Sequence, residues 1–415
     1  MGRGAATPVA CRDKEVIACW LIVGAVSFCP RESQPQEVAP SAARVTPAVA
    51  QGDGVEVRVS SVEGVTLAGT FVVPTSDDAA VKFPAVVFIT GSGLQDRDET
   101  IFGHKPFRVI AAALAQHGIA SIRCDDRGFA KSTGDGKLAT TFDFLEDAKA
   151  QVAWLRTRPE IDPKQIGVVG HSEGGLIGLL MSQAPDPAMN FAVLLAPPGI
   201  SGGEILVGQS ADMFTKIKVP PIQLAFTLEK HRQLIDAVVA NADEATLTLA
   251  MRALVDAQLD CVAKPKPPEA TIESTVKQGL AQVSSPWMRT FIALDPAPAI
   301  RHIGVPMLIL FGERDVQVSP ARNLPPYQEG ILDCPLKPTI VIVPKANHLF
   351  QPARTGMPDE YATIKVEIDP EVLKKISDWV VSTTNSQPSS QPSSQPTGQT
   401  SASPSVPVAS PKSSP

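Results

Sequence analysis

Short apolar runs alternate along this chain with stretches in which apolar residues return every three or four positions. Residues 55–60 and 65–73 read as a leading hairpin, and 85–90 as a short buried strand that ends in glycines. Across 106–116, Phe107, Ile110, Ala111 and Leu114 fall on one helical face, and Gly118 stops the helix. A strand at 119–124 follows. The next helix keeps Phe142, Leu145, Val152 and Leu155 at helical spacing, with Thr141 as its N-cap. Strand 166–169, helix 174–181 and strand 191–195 complete the first half. Wholly apolar strands separated by helical crossovers predict an α/β protein with a mostly parallel, doubly wound sheet.

That rhythm breaks at about Gly199. The following hundred residues carry helical patterns at 204–218, 224–242, 244–260 and 271–293, with few strand signals. Strands resume at 307–311 and 339–343. A last helix starts at Asp369-Pro370, an N-cap followed by proline in the first turn, and buries Leu373, Ile376 and Val380. One core (52–198 and 299–382) interrupted by one helical cap insertion (199–298) accounts for this order. The cap residues Met213, Phe214, Trp287, Met288 and Phe291 are candidates to line an apolar pocket.

The two ends differ from the middle. Arg3, Arg12 and Lys14 precede an apolar run at 16–28, short for a membrane span and long enough for an export leader over 1–29. Val26-Ser27-Phe28-Cys29 has the outline of a lipidation site, with bulky Phe28 against it, and Ala42-Ala43 is the rival cleavage point. The expected destination is therefore periplasmic, cell-surface or secreted, with any membrane attachment through the leader alone. Residues 30–51 read as a linker. The stretch 383–415 is Ser, Pro, Gln and Thr, with Ser-Gln-Pro recurring three times; it lacks the apolar side chains that would offset the entropy of ordering.

Composition narrows the function classes. Of 415 residues, 43% are hydrophobic and 19% charged, and the net charge is −6, so there is no cationic excess to neutralise phosphates. Aromatics at 5% are too sparse for a base-stacking surface. Nucleic acid is therefore not the expected partner. Three of the six cysteines fall in the leader; Cys124, Cys261 and Cys334 permit at most one internal disulfide. With no C-x-x-C spacing, a thiolate zinc site has no support, and the sequence calls for no metal or cofactor.

The sharpest chemical feature is Gly170-His171-Ser172-Glu173-Gly174, directly between a predicted strand and a predicted helix. In that setting G-x-S-x-G marks a nucleophile elbow, a tight turn that lifts the serine oxygen from the sheet edge. A serine hydroxyl needs a base to take its proton. Of the six histidines, His348 alone follows a late strand on a loop able to reach that edge. The orienting acid should lie between serine and histidine in sequence. Asp315, just past strand 307–311, fits; Glu313 and Glu204 are its alternatives. The oxyanion hole needs two backbone N–H groups. Glu173 would supply one, and Ser92 or Gly93, after strand 85–90, the other.

These features together resemble the α/β-hydrolases, in particular bacterial carboxylesterases, which are related to acyl-thioester hydrolases and to the catalytic domain of prolyl oligopeptidases. The resemblance rests on 91–98 (Gly-Ser-Gly-Leu-Gln-Asp-Arg-Asp), Asp125-Asp126-Arg127-Gly128, 170–175, 312–315 and Asn347-His348-Leu349-Phe350-Gln351, in the family's order over roughly 52–382. It implies the α/β-hydrolase fold and a Ser172–Asp315–His348 triad. Thr90 departs from the histidine that many relatives place before the oxyanion glycines, and Cys124 from a frequent aromatic. The charged residues Asp96, Arg97, Asp98, Asp125, Asp126 and Arg127 read as a buried supporting network, the alternative being an arginine that binds a substrate carboxylate.

Three functions compete. The first is a serine carboxylesterase acting on small or medium acyl groups through an acyl-enzyme. A peptidase, thioesterase or acyltransferase would keep the machinery and change the bond or acceptor; a related peptidase is expected to carry an upstream propeller, where only about fifty residues precede this hydrolase region. A non-catalytic surface protein has no need of an intact nucleophile.

Overall fold

The computed structural model describes residues 54–386 apart from 184–188, 263–264, 333 and 335. The leader, the linker and nearly all of the Ser/Pro/Gln-rich stretch lie outside the described residues.

Eight strands form one sheet: β1 (Val55–Ser60), β2 (Thr66–Val72), β3 (Phe83–Ile89), β4 (Ala120–Cys124), β5 (Ile161–His171), β6 (Phe191–Leu195), β7 (Met307–Gly312) and β8 (Thr339–Val343). Their order across the sheet is β1-β2-β4-β3-β5-β6-β7-β8. Strand β2 runs antiparallel to β1 and to β4; every other neighbouring pair is parallel. Strands β4, β6 and β7 are buried at every position, which is why they read as unbroken apolar runs: helices cover both faces. At the margin, β8 keeps only Val343 buried.

The covering helices are α1 (Pro106–Gln116), α2 (Thr141–Arg156), α3 (Glu173–Met181) and, after the cap, α9 (Ala297–Ile300), α10 (Pro320–Gly330) and α11 (Pro370–Ser386). Helix α1 buries the four residues its periodicity selects. Helix α2 begins one residue earlier than expected: Thr140 caps it through a reciprocal bond with Asp143, which frees the Thr141 hydroxyl for another partner. Phe142 points outward, since it lies off the stripe formed by Ala148, Val152 and Leu155. Helix α11 buries Val372, Ile376 and Val380, with Leu373 only half-buried, and runs to Ser386, past the start of the stretch read as disordered.

Between β6 and β7 the chain forms α4 (Gly202–Lys216), α5 (Pro221–Val239), α6 (Glu244–Val262), α7 (Glu269–Val283) and α8 (Pro286–Ala293). These helices enclose their own apolar centre, including Leu206, Leu234, Met251 and Leu254, separate from the core around the sheet. The single helix expected at 271–293 is two. Ser285 caps α8 by accepting from Met288 N–H, and Pro286 occupies the first turn, where its missing N–H costs no hydrogen bond. Cys124, Cys261 and Cys334 are free thiols, so the optional disulfide among them does not form. Among the described residues, no helix is long and apolar enough to cross a membrane.

Candidate active site

Strand β5 carries the chain to His171, and α3 starts at Glu173, leaving Ser172 alone in the turn. Ser172 has φ 54° and ψ −116°, a conformation an L-residue adopts only where its surroundings enforce it. Those surroundings are backbone at very short range. A Cβ on Gly170 would sit 2.1 Å from the Gly174 carbonyl oxygen, and a Cβ on Gly174 would sit 2.1 Å from that of Ile89. Both glycines are fixed by close approach rather than by flexibility. The Ser172 N–H donates to Leu195 O on β6 (2.8 Å), pinning the turn to the next strand.

The loop after β8 carries His348 and is held by its own amides. Asn347 Oδ1 accepts from Leu349 N–H and Gln351 N–H, while its Nδ2 donates to Gln351 Oε1. His348 Nδ1 lies 2.7 Å from Asp315 Oδ2. Asp315 Oδ1 already accepts from the N–H groups of Gln317 and Val318, so the carboxylate is fully engaged and buried. A carboxylate only accepts, which places the proton on Nδ1 of His348 and leaves Nε2 as the free base. Ser172 and His348 line one cavity, together with Gly91, Ser92, Gln95, Ile205, Gln209, Phe291, Gln317 and Tyr361.

The two alternative acids lie elsewhere. Glu313 is exposed and accepts from Lys345 N–H; Glu204 closes the capping box of α4 with Ser201. Of the two expected oxyanion residues after β3, Ser92 lines the cavity with Ser172, whereas Gly93 lines a second, adjacent cavity. Glu173 is at the start of α3, so its amide stands at the positive end of the helix.

The Glu173 side chain has a structural part that the sequence did not suggest. Its buried carboxylate accepts from Thr141 Oγ1 (2.6 Å) and from Trp287 Nε1 (2.9 and 3.0 Å), joining the elbow to α2 and to the cap. Burial raises its pKa, and the bonds from Thr141, Trp287 and Ser92 only partly offset that rise.

Of the five cap residues expected to line the pocket, only Phe291 does. Met288 belongs to the cap centre, Phe214 is buried away from the cavity, and Trp287 is committed to Glu173. Ile205 and Gln209 of α4 take their place, being the α4 residues on the face turned to Ser172.

The charged cluster is a supporting network. Arg97 bonds Asp125 through Nε and Nη2 and reaches Glu56; Arg127 bonds Asp147 and Asp143; Arg123 pairs with Asp98. Burial works against the charge of Asp125, but the Arg97 bonds hold its carboxyl below the usual range. Asp126, half-buried, is pushed well above that range by desolvation and accepts from Thr90 Oγ1 and Gln95 N–H. Asp96 closes the local turn by accepting from Thr100. None of the six lines the Ser172 cavity, so the carboxylate-binding alternative loses its geometry. Glu99, one residue beyond this motif, is a participant the sequence did not mark. It is 1% exposed, and its Oε1 meets both Gly91 N–H (2.7 Å) and His171 Nδ1 (2.9 Å). Among the described residues no cluster of metal-ligating side chains occurs.

A strained serine between a parallel strand and a helix, under a histidine–aspartate pair supplied by later loops, defines a class. Residues 86–364 match the Alpha/beta hydrolase family, and the chain belongs to that family. Esterase EstD of Thermotoga maritima is 27% identical over 300 residues, which are 72% of this chain and 62% of EstD; the chain thus spans under two thirds of that relative's length. Among solved structures, esterase Pf2001 of Pyrococcus furiosus aligns at 16% identity over 83% of this chain and 96% of its own, with TM-score 0.48. The α/β hydrolase GrgF of Penicillium sp. sh18 aligns at 17% identity over 79% and 97%, with TM-score 0.47.

Proposed function

We propose that this chain is a serine carboxylesterase using Ser172 as nucleophile, His348 as base and Asp315 as the acid that orients it. The observation that carries the reading is the 2.7 Å bond from His348 Nδ1 to Asp315, made by a histidine that shares a cavity with Ser172. His348 Nε2 takes the Ser172 proton as Oγ attacks the ester carbonyl. The tetrahedral oxyanion is held by the amides of Glu173 and Ser92, and collapse expels the alcohol after His348 returns the proton to it. Water, deprotonated by the same Nε2, then attacks the acyl-enzyme; the acid leaves and Ser172 regains its proton.

The cavity, about 40 Å³, supports short acyl groups. It has room for a few waters or one small acyl chain, and Gln95, Gln209 and Gln317 give its wall a polar character. Turnover is therefore expected to be highest for 4-nitrophenyl acetate or butyrate and to fall steeply by decanoate. Ser172→Ala is expected to abolish it. Faster turnover of peptide, acyl-CoA or transfer to an alcohol than of the short esters would replace this reading with one of its alternatives. Export through the leader is part of the same proposal and is checked by fractionating cells that express the whole chain.

A further inference from the structure

We propose that Glu99 and His171 are positioning residues: a buried ion pair that ties both the oxyanion loop and the base loop to the nucleophile elbow. The inference rests on the Ser172 reading and assigns work to two residues that reading leaves idle.

The geometry is a chain of three contacts. Glu99 Oε1 accepts from Gly91 N–H at 2.7 Å and faces His171 Nδ1 at 2.9 Å; His171 Nε2 faces the carbonyl oxygen of His348 at 2.9 Å. Gly91 begins the loop that carries Ser92, His171 adjoins Ser172, and His348 is the base. One glutamate and one histidine therefore touch all three loops that must meet for acyl transfer. Both side chains are almost wholly buried, and both stand in the wall of the Ser172 cavity.

The contacts also fix a charge. A carbonyl oxygen and an ionised carboxylate can only accept, so both ring nitrogens of His171 must donate, and only the imidazolium does so. Burial alone would favour the neutral ring; the charge and bond of Glu99, then the His348 carbonyl and the more distant Asp315, outweigh it and raise the pKa. A neutral His171 would satisfy either Glu99 or His348, never both. Glu99 itself has φ 53°, a backbone conformation a glutamate adopts only under constraint.

A second consequence concerns His348. Its ring centroid lies 4.6 Å from that of His171, while Asp315 bonds its other side. The cation opposes protonation of His348 and the carboxylate favours it. Substituting His171 by glutamine removes that cation, and the acidic limb of kcat/KM is expected to move to higher pH.

The test uses the full chain. With ¹⁵N-labelled histidine, NMR at pH 8 is expected to show both His171 ring nitrogens protonated, and Glu99→Gln is expected to convert the ring to a neutral tautomer. Because Glu99 bonds only through Oε1, glutamine keeps the shape and removes the charge. Rates are then measured per active site titrated with a fluorophosphonate. Glu99→Gln and His171→Gln are each expected to lower kcat for 4-nitrophenyl acetate by about 10- to 100-fold with KM within about threefold, and the double variant to be no worse than the worse single. A merely structural role would reduce the titratable fraction and leave kcat per site and the pH limb unmoved. A neutral His171 in the unsubstituted protein, or titrated variants within threefold of its kcat, overturns the proposal. Failure of Ser172 to titrate at all would sink the esterase reading instead, leaving the NMR result to judge the ion pair.

Discussion

Two buried histidines, one beneath the sheet edge and one inside the cap, show how differently the two halves of this molecule treat the same side chain. His171 lies between a carboxylate and a carbonyl, both acceptors, and its pKa rises. His231, at the centre of the cap, has a single hydroxyl partner, Ser210 Oγ at 3.0 Å, and its Nε2 meets no protein group. Burial, with a smaller push from Arg232, lowers its pKa to about 4. Similar burial thus goes with opposite pKa shifts, decided by whether acceptors were built around the ring. The sheet edge sets acceptors against both nitrogens of its ring, although Glu99 Oε2 itself meets no protein group. The cap relies on apolar packing and tolerates an unpaired nitrogen.

The comparison can be broken in several ways. Of these, Asp315→Asn should have the largest effect on function, second only to loss of the nucleophile, because it removes the group that fixes the proton on His348 Nδ1. A fall in kcat of about 10³- to 10⁴-fold is expected, with the fold intact by circular dichroism. A loss under tenfold would mean that another group orients the base.

The next effect is on stability. The folded-state pKa of His231 lies below its unfolded value, so its contribution is fully present above pH 6.5 and is lost as pH falls toward about 4. That loss is worth at most about 3 kcal/mol. Hydrogen exchange at pH 4.5 is expected to show α5 opening before the sheet does, and His231→Gln is expected to flatten that pH dependence. Simultaneous opening of sheet and cap would contradict the division drawn between them.

The smallest effect probes the link between the halves. Trp287→Phe keeps the stacking on Phe291 and removes the donor to Glu173. The shared hydrogen bond from the indole to both Glu173 carboxyl oxygens is lost, so KM for a short ester should rise roughly two- to tenfold with kcat nearly unchanged. An unchanged KM would show that the cap does not help to shape the cavity.

How far the sequence revealed this arrangement depended on how local each requirement was. The elbow was legible because two glycines, a strand and a helix must coincide within a few residues. His348 was legible by its place behind a late strand, and Asp315 by lying between serine and histidine at the end of β7. Glu99 was not, since beyond nearby Gly91 its partner is His171, 72 residues away, and, through that ring, the main chain of His348. No spacing rule ties a turn glutamate to them. The cap lining failed for a related reason: periodicity in α4 identified an apolar stripe without saying which face meets Ser172. The break at Ser285-Pro286 was readable as a capping pair, but apolar spacing on both sides concealed it.

The account depends above all on Ser172 being activated by His348 in the folded chain. Intact-mass kinetics with a fluorophosphonate measure this directly. One adduct per chain, mapped to Ser172, absent in Ser172→Ala and forming at least a hundredfold more slowly in His348→Ala, is the expected result. An adduct on another residue, or a rate indifferent to His348, would contradict it.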